Sequence, residues 1–138
     1  MDASRPLPTP TPETAHFWEG TSQGELRLQR CDAGCGAAYF PPRAFCPRCG
    51  SRDVSVFRAS GDAVLYSYTI SHRSIPGFEA PYAIAVVTLA EGPRMMTNIV
   101  ECEQTPQALQ LDMPLEVVFA RQNDAITLPL FRPKGAAR

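Results

Sequence analysis

The sequence predicts a mainly β chain: a short N-terminal helix, a small cysteine-bearing ribbon, then a five-stranded barrel. Three observations carry that prediction. Thr11-Pro12-Glu13 is a helix-start pattern, with a threonine suited to cap, a proline for the first helical position and an acid for the first turn. Cys31/Cys35 and Cys46/Cys49 form two close pairs. After Gly61 the chain becomes five β-patterned runs within about seventy residues.

Taken in order, residues 1–10 are proline-rich and are expected to build no core, lying disordered or across a partner. Together with the helix they make an N-terminal segment of residues 1–24. The helix is expected from about Pro12 to Gln23 and ends at Gly24. Phe17 and Trp18 share one broad apolar face, which suits packing on the domain that follows. His16 has no nucleophile near it in sequence and reads as structural.

The ribbon is expected over residues 25–60. It opens with a strand in which Leu26 and Leu28 alternate with Arg27 and Gln29, and a second strand, Val54 to Arg58, leads out. The ten residues between Cys35 and Cys46 suffice for a hairpin that brings the two pairs together. Gly36 and Gly50 each follow the second cysteine of a pair, where a tight turn needs positive φ. Four converging thiolates are the donor set of one tetrahedral metal ion, and Zn2+ is the commoner occupant of such ribbons, although iron also accepts four thiolates. Two disulfides would need an oxidising compartment. The N-terminus has no apolar run like a signal peptide and no stretch approaches membrane-spanning length, so a cytoplasmic protein with reduced thiols is expected. Four protein ligands leave no position for water or substrate, which makes the metal structural.

The barrel is expected over residues 61–133, with a tail at 134–138. Val64, Tyr66, Tyr68 and Ile70 are expected on one face of its first strand. Tyr82 to Leu89, Met95 to Val100, Leu115 to Ala120 and Ile126 to Leu130 follow, with one helical turn near Thr105 to Leu111. Five strands of this length suit an OB barrel; periodicity alone leaves an SH3-like barrel open.

A formal net charge of -1 argues against a general nucleic-acid binder, which needs a basic excess to neutralise phosphates. The charge is uneven. Arg27, Arg30, Arg43, Arg48, Arg52 and Arg58 face only Asp32 and Asp53 across the ribbon, and only Lys134 of the thirteen basic residues is a lysine. Arginine suits bidentate contact with phosphate or carboxylate, while a solvated face that keeps a small module soluble is the plainer use. No nucleophile elbow, phosphate loop or dinucleotide fingerprint occurs. The spare cysteine, Cys102, lies between Glu101 and Glu103, two carboxylates that disfavour its thiolate, and no spacing links it to His72. The chain is therefore not expected to be an enzyme by itself.

Several separated motifs in a fixed order then carry a resemblance. F-W-E-G-x3-G-E-L-R-L-Q-R-C, F-P-P-R-x-F-C-P-R-C-G-S, G-D-A-V-L-Y-S-Y-T, A-P-Y-A-I-A-V-V-T-L-A-E-G and the closing L-P-L-F-R-P occur in that order within a match that runs from about Pro12 to Pro133. In these the chain resembles the zinc-ribbon OB-fold family of acyl-CoA-associated proteins, long catalogued as a domain of unknown function. The resemblance implies a helical N-terminal extension, a rubredoxin-like zinc ribbon with Cys31, Cys35, Cys46 and Cys49 as ligands, and a C-terminal OB barrel. Such proteins are small subunits or fused domains beside thiolases, lipid-transfer-protein-like aldolases or hydroxymethylglutaryl-CoA synthases. One departure stands out: three residues, Asp32, Ala33 and Gly34, separate the first cysteine pair where the family usually has two.

What the resemblance implies for function is a non-catalytic accessory subunit of a hetero-oligomer that helps bind or channel the partner's acyl-CoA thioester. A CoA thioester offers a long apolar-tolerant arm and an anionic nucleotide, so an apolar groove with a few arginines is the expected surface. Tyr66, Tyr68, His72, Phe78 and Tyr82 are candidate lining residues, with Arg43, Arg48 and Arg73 for phosphates. The loop from Ser71 to Tyr82 is the expected partner-facing segment. The competing reading from another class is a module for single-stranded nucleic acid, since OB barrels present aromatic platforms and zinc ribbons recur in transcription machinery.

Overall fold

The structure is a computed structural model that describes residues 5–135; the expectations for residues 1–4 and 136–138 lie outside the described residues. Helix α1 spans Ala15–Ser22 and starts later than the sequence pattern suggests. Thr11 to Thr14 folds instead as a turn, in which the Thr14 N–H donates to the Thr11 carbonyl at 3.0 Å and the Thr11 N–H donates to Thr14 Oγ1 at 2.9 Å. These short-range bonds compete with an earlier helix start and move the N-cap to Thr14. The helix ends where expected. Gly24 takes φ 78°, and the bonds from Glu25 N–H to Gly20 (2.8 Å) and from Gly24 N–H to Thr21 (3.1 Å) close a Schellman motif.

Strand β1 (Arg27–Cys31) is the centre of a three-stranded antiparallel sheet, between β2 (Ala38–Tyr39) and β3 (Val54–Arg58). Leu26 and Leu28 are buried as their alternation predicts. Gln29 is also buried, on the opposite face, because its carboxamide binds the backbone of the loop before the second cysteine pair.

The barrel consists of β4 (Asp62–Ser71), β5 (Tyr82–Leu89), β6 (Arg94–Thr97), β7 (Pro114–Arg121) and β8 (Thr127–Pro133). They hydrogen-bond antiparallel in the order β6-β5-β4-β7-β8. The sheet curls until its edges meet. Ile99, just past β6, bridges Phe131 of β8 in parallel, with bonds from Val100 N–H to the Phe131 carbonyl (2.8 Å) and from Phe131 N–H to the Asn98 carbonyl (3.2 Å). That strand order and seam make the OB barrel rather than the SH3-like alternative.

One expected face is corrected. On β4, Leu65 pairs with Val87 and Ser67 with Val86, so Tyr66 is the extra residue of a β-bulge. The bulge switches the strand's parity. Ala63 and Leu65 point inward before it, while Tyr68 and Ile70 pack on the core after it. Val64 and Tyr66 are exposed, so the four residues do not share a face. The single turn expected near Thr105 is present, with the Ala108 and Leu109 N–H groups both donating to the Thr105 carbonyl at 3.1 Å, and Leu109 enters the core.

Phe17 of the helix and Leu26, Leu28 and Ala59 of the ribbon belong to the same buried cluster as Leu65, Val87, Leu115 and Phe131 of the barrel. The three parts thus share one core, which fixes the ribbon against the barrel wall. Among the described residues no helix is long and apolar enough to cross a membrane.

Candidate functional site

The cysteine pairs converge as their spacing requires: the Sγ atoms of Cys31, Cys35, Cys46 and Cys49 all lie within 4.8 Å of one another. The closest approaches, 3.5 Å for Cys31 to Cys49 and 3.8 Å for Cys35 to Cys46, run between the pairs. Both exceed a disulfide bond of about 2.05 Å. They match the edge of about 3.8 Å that a tetrahedron with metal–sulfur bonds of about 2.3 Å requires. Each pair sits in a knuckle closed by its own backbone. The Cys46 N–H donates to the Ser51 carbonyl at 2.8 Å; the Cys31 N–H donates to the Ala37 carbonyl at 2.9 Å, one residue further along. The additional residue of the first pair is taken up there, with Gly34 at φ 98° and Gly36 at φ 70°.

Electrostatics show why this cluster calls for a cation. Backbone N–H groups of Cys49 and Arg48 hold the Cys46 thiol down to about 7, the Arg48 N–H donating to its Sγ at 3.3 Å. At Cys49 the Ser51 N–H favours the thiolate, but the Cys31 sulfur and burial outweigh it and push the thiol up to about 11. Four sulfurs at this distance cannot all ionise unless a positive charge sits among them. The donor set, its geometry and its N–H···S support fit structural Zn2+, with Cys31, Cys35, Cys46 and Cys49 as ligands and no open coordination position.

The other sequence candidates fall into separate places. Tyr66, Tyr68 and His72, with Leu111, line one shallow open pocket along β4, although Tyr68 also packs on the core. Phe78 and Tyr82, on the loop from Ser71 to Tyr82, pack with ring centroids 5.1 Å apart and line a second, separate pocket with Ile84 and Met96. Arg43 and Arg48 are exposed on the ribbon, and Arg73 is exposed on that loop. The structure therefore brings the aromatic candidates into two patches and joins neither to the ribbon arginines.

Sequence reasoning missed several contacts. The Arg94 guanidinium lies 3.7 Å from the Tyr66 ring centroid, converting an exposed tyrosine into half of a cation–π pair. Arg30 does the same over Phe57 at 4.1 Å. An apolar groove of about 400 Å³ is lined by Phe17 and Trp18 of the helix, Phe40 of the ribbon, Phe78 of the loop, Met96 of β6 and Arg5 of the N-terminal segment. No local pattern predicts it, because its walls come from five distant parts of the chain. Cys102, the one thiol outside the cluster, is pushed up by burial and by Glu103, as its flanking acids suggest.

A four-sulfur ribbon closed onto an OB barrel, with one core between them, defines a zinc-ribbon OB protein. The family descriptions "ChsH2, rubredoxin-like zinc ribbon domain" and "ChsH2, C-terminal OB-fold domain" match residues 18–55 and 58–120. The chain is 38% identical over 132 residues to the probable enoyl-CoA hydratase alpha subunit of Thermomonospora curvata, covering 95% of this chain but only 40% of that protein. It is 31% identical over 113 residues to a DUF35 domain-containing scaffold protein of Methanothermobacter thermautotrophicus, covering 79% of this chain and 83% of the relative. A chain of the solved "Ltp2-ChsH2(DUF35) aldolase" superposes with TM-score 0.81 at 37% identity, over 92% of this chain and 98% of that one. The chain belongs to the DUF35 family, as the ordered motifs imply.

Proposed function

We propose that this chain is a non-catalytic accessory subunit that binds a thiolase-fold enzyme in a hetero-oligomer and helps bind or channel that enzyme's acyl-CoA substrate. The observation that carries the reading is the likeness to a whole chain of the Ltp2-ChsH2(DUF35) aldolase, at TM-score 0.81 and 37% identity. Chemistry supports it. The metal cluster has no open position, and Cys102 is held as a thiol with no histidine beside it among its described hydrogen-bond partners. The partner then supplies the carbon–carbon bond chemistry, and this chain supplies surface.

On this reading the β4 face with Tyr66, Tyr68 and His72, the Phe78–Tyr82 stack, and Arg43, Arg48 and Arg73 are the residues to meet the thioester arm, the partner or the CoA phosphates. On this reading the assembly works in the cytoplasm, a compartment in which thiols stay reduced and available to a metal. The test is reconstitution: a thiolase-fold aldolase or thiolase from the same cell is assayed for acyl-CoA turnover with and without this chain. Turnover that needs the chain, and a CoA affinity that weakens in the Arg43→Ala/Arg48→Ala double variant, is the expected result. Full turnover without the chain would overturn the reading. Binding of single-stranded oligonucleotides that weakens steeply with salt would favour the nucleic-acid module instead.

A further inference from the structure

The N-terminal segment does something that its proline-rich composition does not announce: it forms part of the wall of the apolar groove. Arg5 and Pro6 line that groove with Phe17, Trp18, Phe40 and Phe78. The contact is close because Gly77 lacks a side chain. A Cβ there would stand 2.4 Å from the Arg5 backbone, so only glycine lets the two main chains meet. The Arg5 guanidinium then sits 4.3 Å from the Phe78 ring centroid. Among the described residues no backbone hydrogen bond ties residues 5–10 to the body, and no carboxylate pairs with Arg5. Residues 5–10, with Pro6, Pro8 and Pro10, thus form a strap held to the body at Arg5, by its cation–π contact with Phe78 and by its packing on Gly77.

A volume of about 400 Å³ lies within the range of small-molecule sites, about 300 to 1,000 Å³. Its walls are mostly aromatic, thioether, proline and leucine side chains with a few neutral polar groups, and its lining carries one cation, Arg5, whose charge no described group offsets. We propose that this groove binds a small amphipathic organic anion, with the apolar body among Trp18, Phe17 and Phe40, the anionic head on Arg5, and the strap closing over it. The inference concerns this chain by itself and stands apart from any enzyme partner. It differs from the β4 face and the ribbon arginines in using a charge from the extreme N-terminal segment.

The test is a calorimetric titration of the full chain with sodium octanoate and with 1-octanol, alongside the emission of Trp18, which is the only tryptophan. Both ligands are expected to bind saturably and to shift Trp18 emission. Arg5→Ala should weaken octanoate by about threefold to tenfold and leave octanol unchanged, whereas Arg5→Lys should keep octanoate binding. Arg5 contributes nothing to the core, so these variants fold. Absence of saturable octanoate binding, binding without a Trp18 shift, an octanoate affinity unchanged in Arg5→Ala, or an equal loss for both ligands would each overturn the proposal.

Discussion

The Gln29 carboxamide grips the backbone of Arg43 from both sides, its Nε2 donating to the Arg43 carbonyl at 2.9 Å and its Oε1 accepting the Arg43 N–H at 2.7 Å. A side chain thus imitates one rung of a β-ladder. The Tyr39 hydroxyl also donates to the Arg43 carbonyl at 3.1 Å, so the loop entering the second cysteine pair is fixed three residues before Cys46. Gln29 is 7% exposed, and these bonds are what its burial requires. Gln29→Leu fills similar space but leaves the Arg43 N–H without a partner and its carbonyl on Tyr39 alone, and is expected to cost about 2–3 kcal/mol in urea unfolding and to speed metal loss to a chelator. Unchanged stability and metal release would show that the loop holds itself.

The ribbon's dependence on its metal follows from its size. Two knuckles and three short strands bury little, so the ion supplies folding free energy of roughly ten kcal/mol in modules of this kind. Cys46→Ser with Cys49→Ser is expected to abolish zinc retention by elemental analysis, unfold the ribbon and end partner association. The barrel contributes most of the common core, including Leu65, Leu115 and Phe131, and should keep its β-sheet circular dichroism.

The bulge at Tyr66 makes two tyrosines two residues apart, which a regular strand would put on one face, behave oppositely. Tyr68 packs on the core, whereas Tyr66 is 49% exposed and held only by Arg94 on its face. Tyr68→Ala is expected to cost about 2 kcal/mol, and Tyr66→Ala under about 1 kcal/mol, by denaturant midpoints. Equal losses would mean that the strand keeps one parity throughout.

His16 gives the chain an acid-sensitive element. Burial and the Arg27 guanidinium lower its pKa from the usual 6.5, against a weaker opposing effect of Glu19. Its Nε2 is buried without a hydrogen-bond partner. The folded state therefore resists protonation that the unfolded chain accepts. The stability is intact above the unfolded value of 6.5 and is lost as pH falls through the lower folded value. Comparing urea midpoints at about pH 7.5 and about pH 5.5, His16→Gln should lose less stability than the parent chain. An identical loss in both would remove His16 from the acid response.

Much of this was legible because it rests on spacing. The cysteine pairs with Gly36 and Gly50, the stop at Gly24 and the exit strand Val54–Arg58 are each set by a few adjacent residues, and the structure has them where the pattern puts them. What was not legible depends on the partner chosen in three dimensions. The two-residue strand β2 is too short for any periodicity, and the bulge switches the facing of β4 while Val64, Tyr66, Tyr68 and Ile70 still alternate in the sequence. The early helix start lost to a turn between two threonines that no propensity separates from a cap. The groove needed Arg5, Trp18, Phe40, Phe78 and Met96 to meet, and nothing in a linear reading joins them.

The central claim is that this chain works as a subunit beside an acyl-CoA enzyme. Its most direct test is a native affinity pull-down of the tagged chain from its own cell extract, with retained proteins identified by mass and the eluate checked for nucleic acid. Recovery of a thiolase-fold enzyme in near-equal amount is the predicted result. Recovery of nucleic acid, or of the chain without a protein partner, would contradict it.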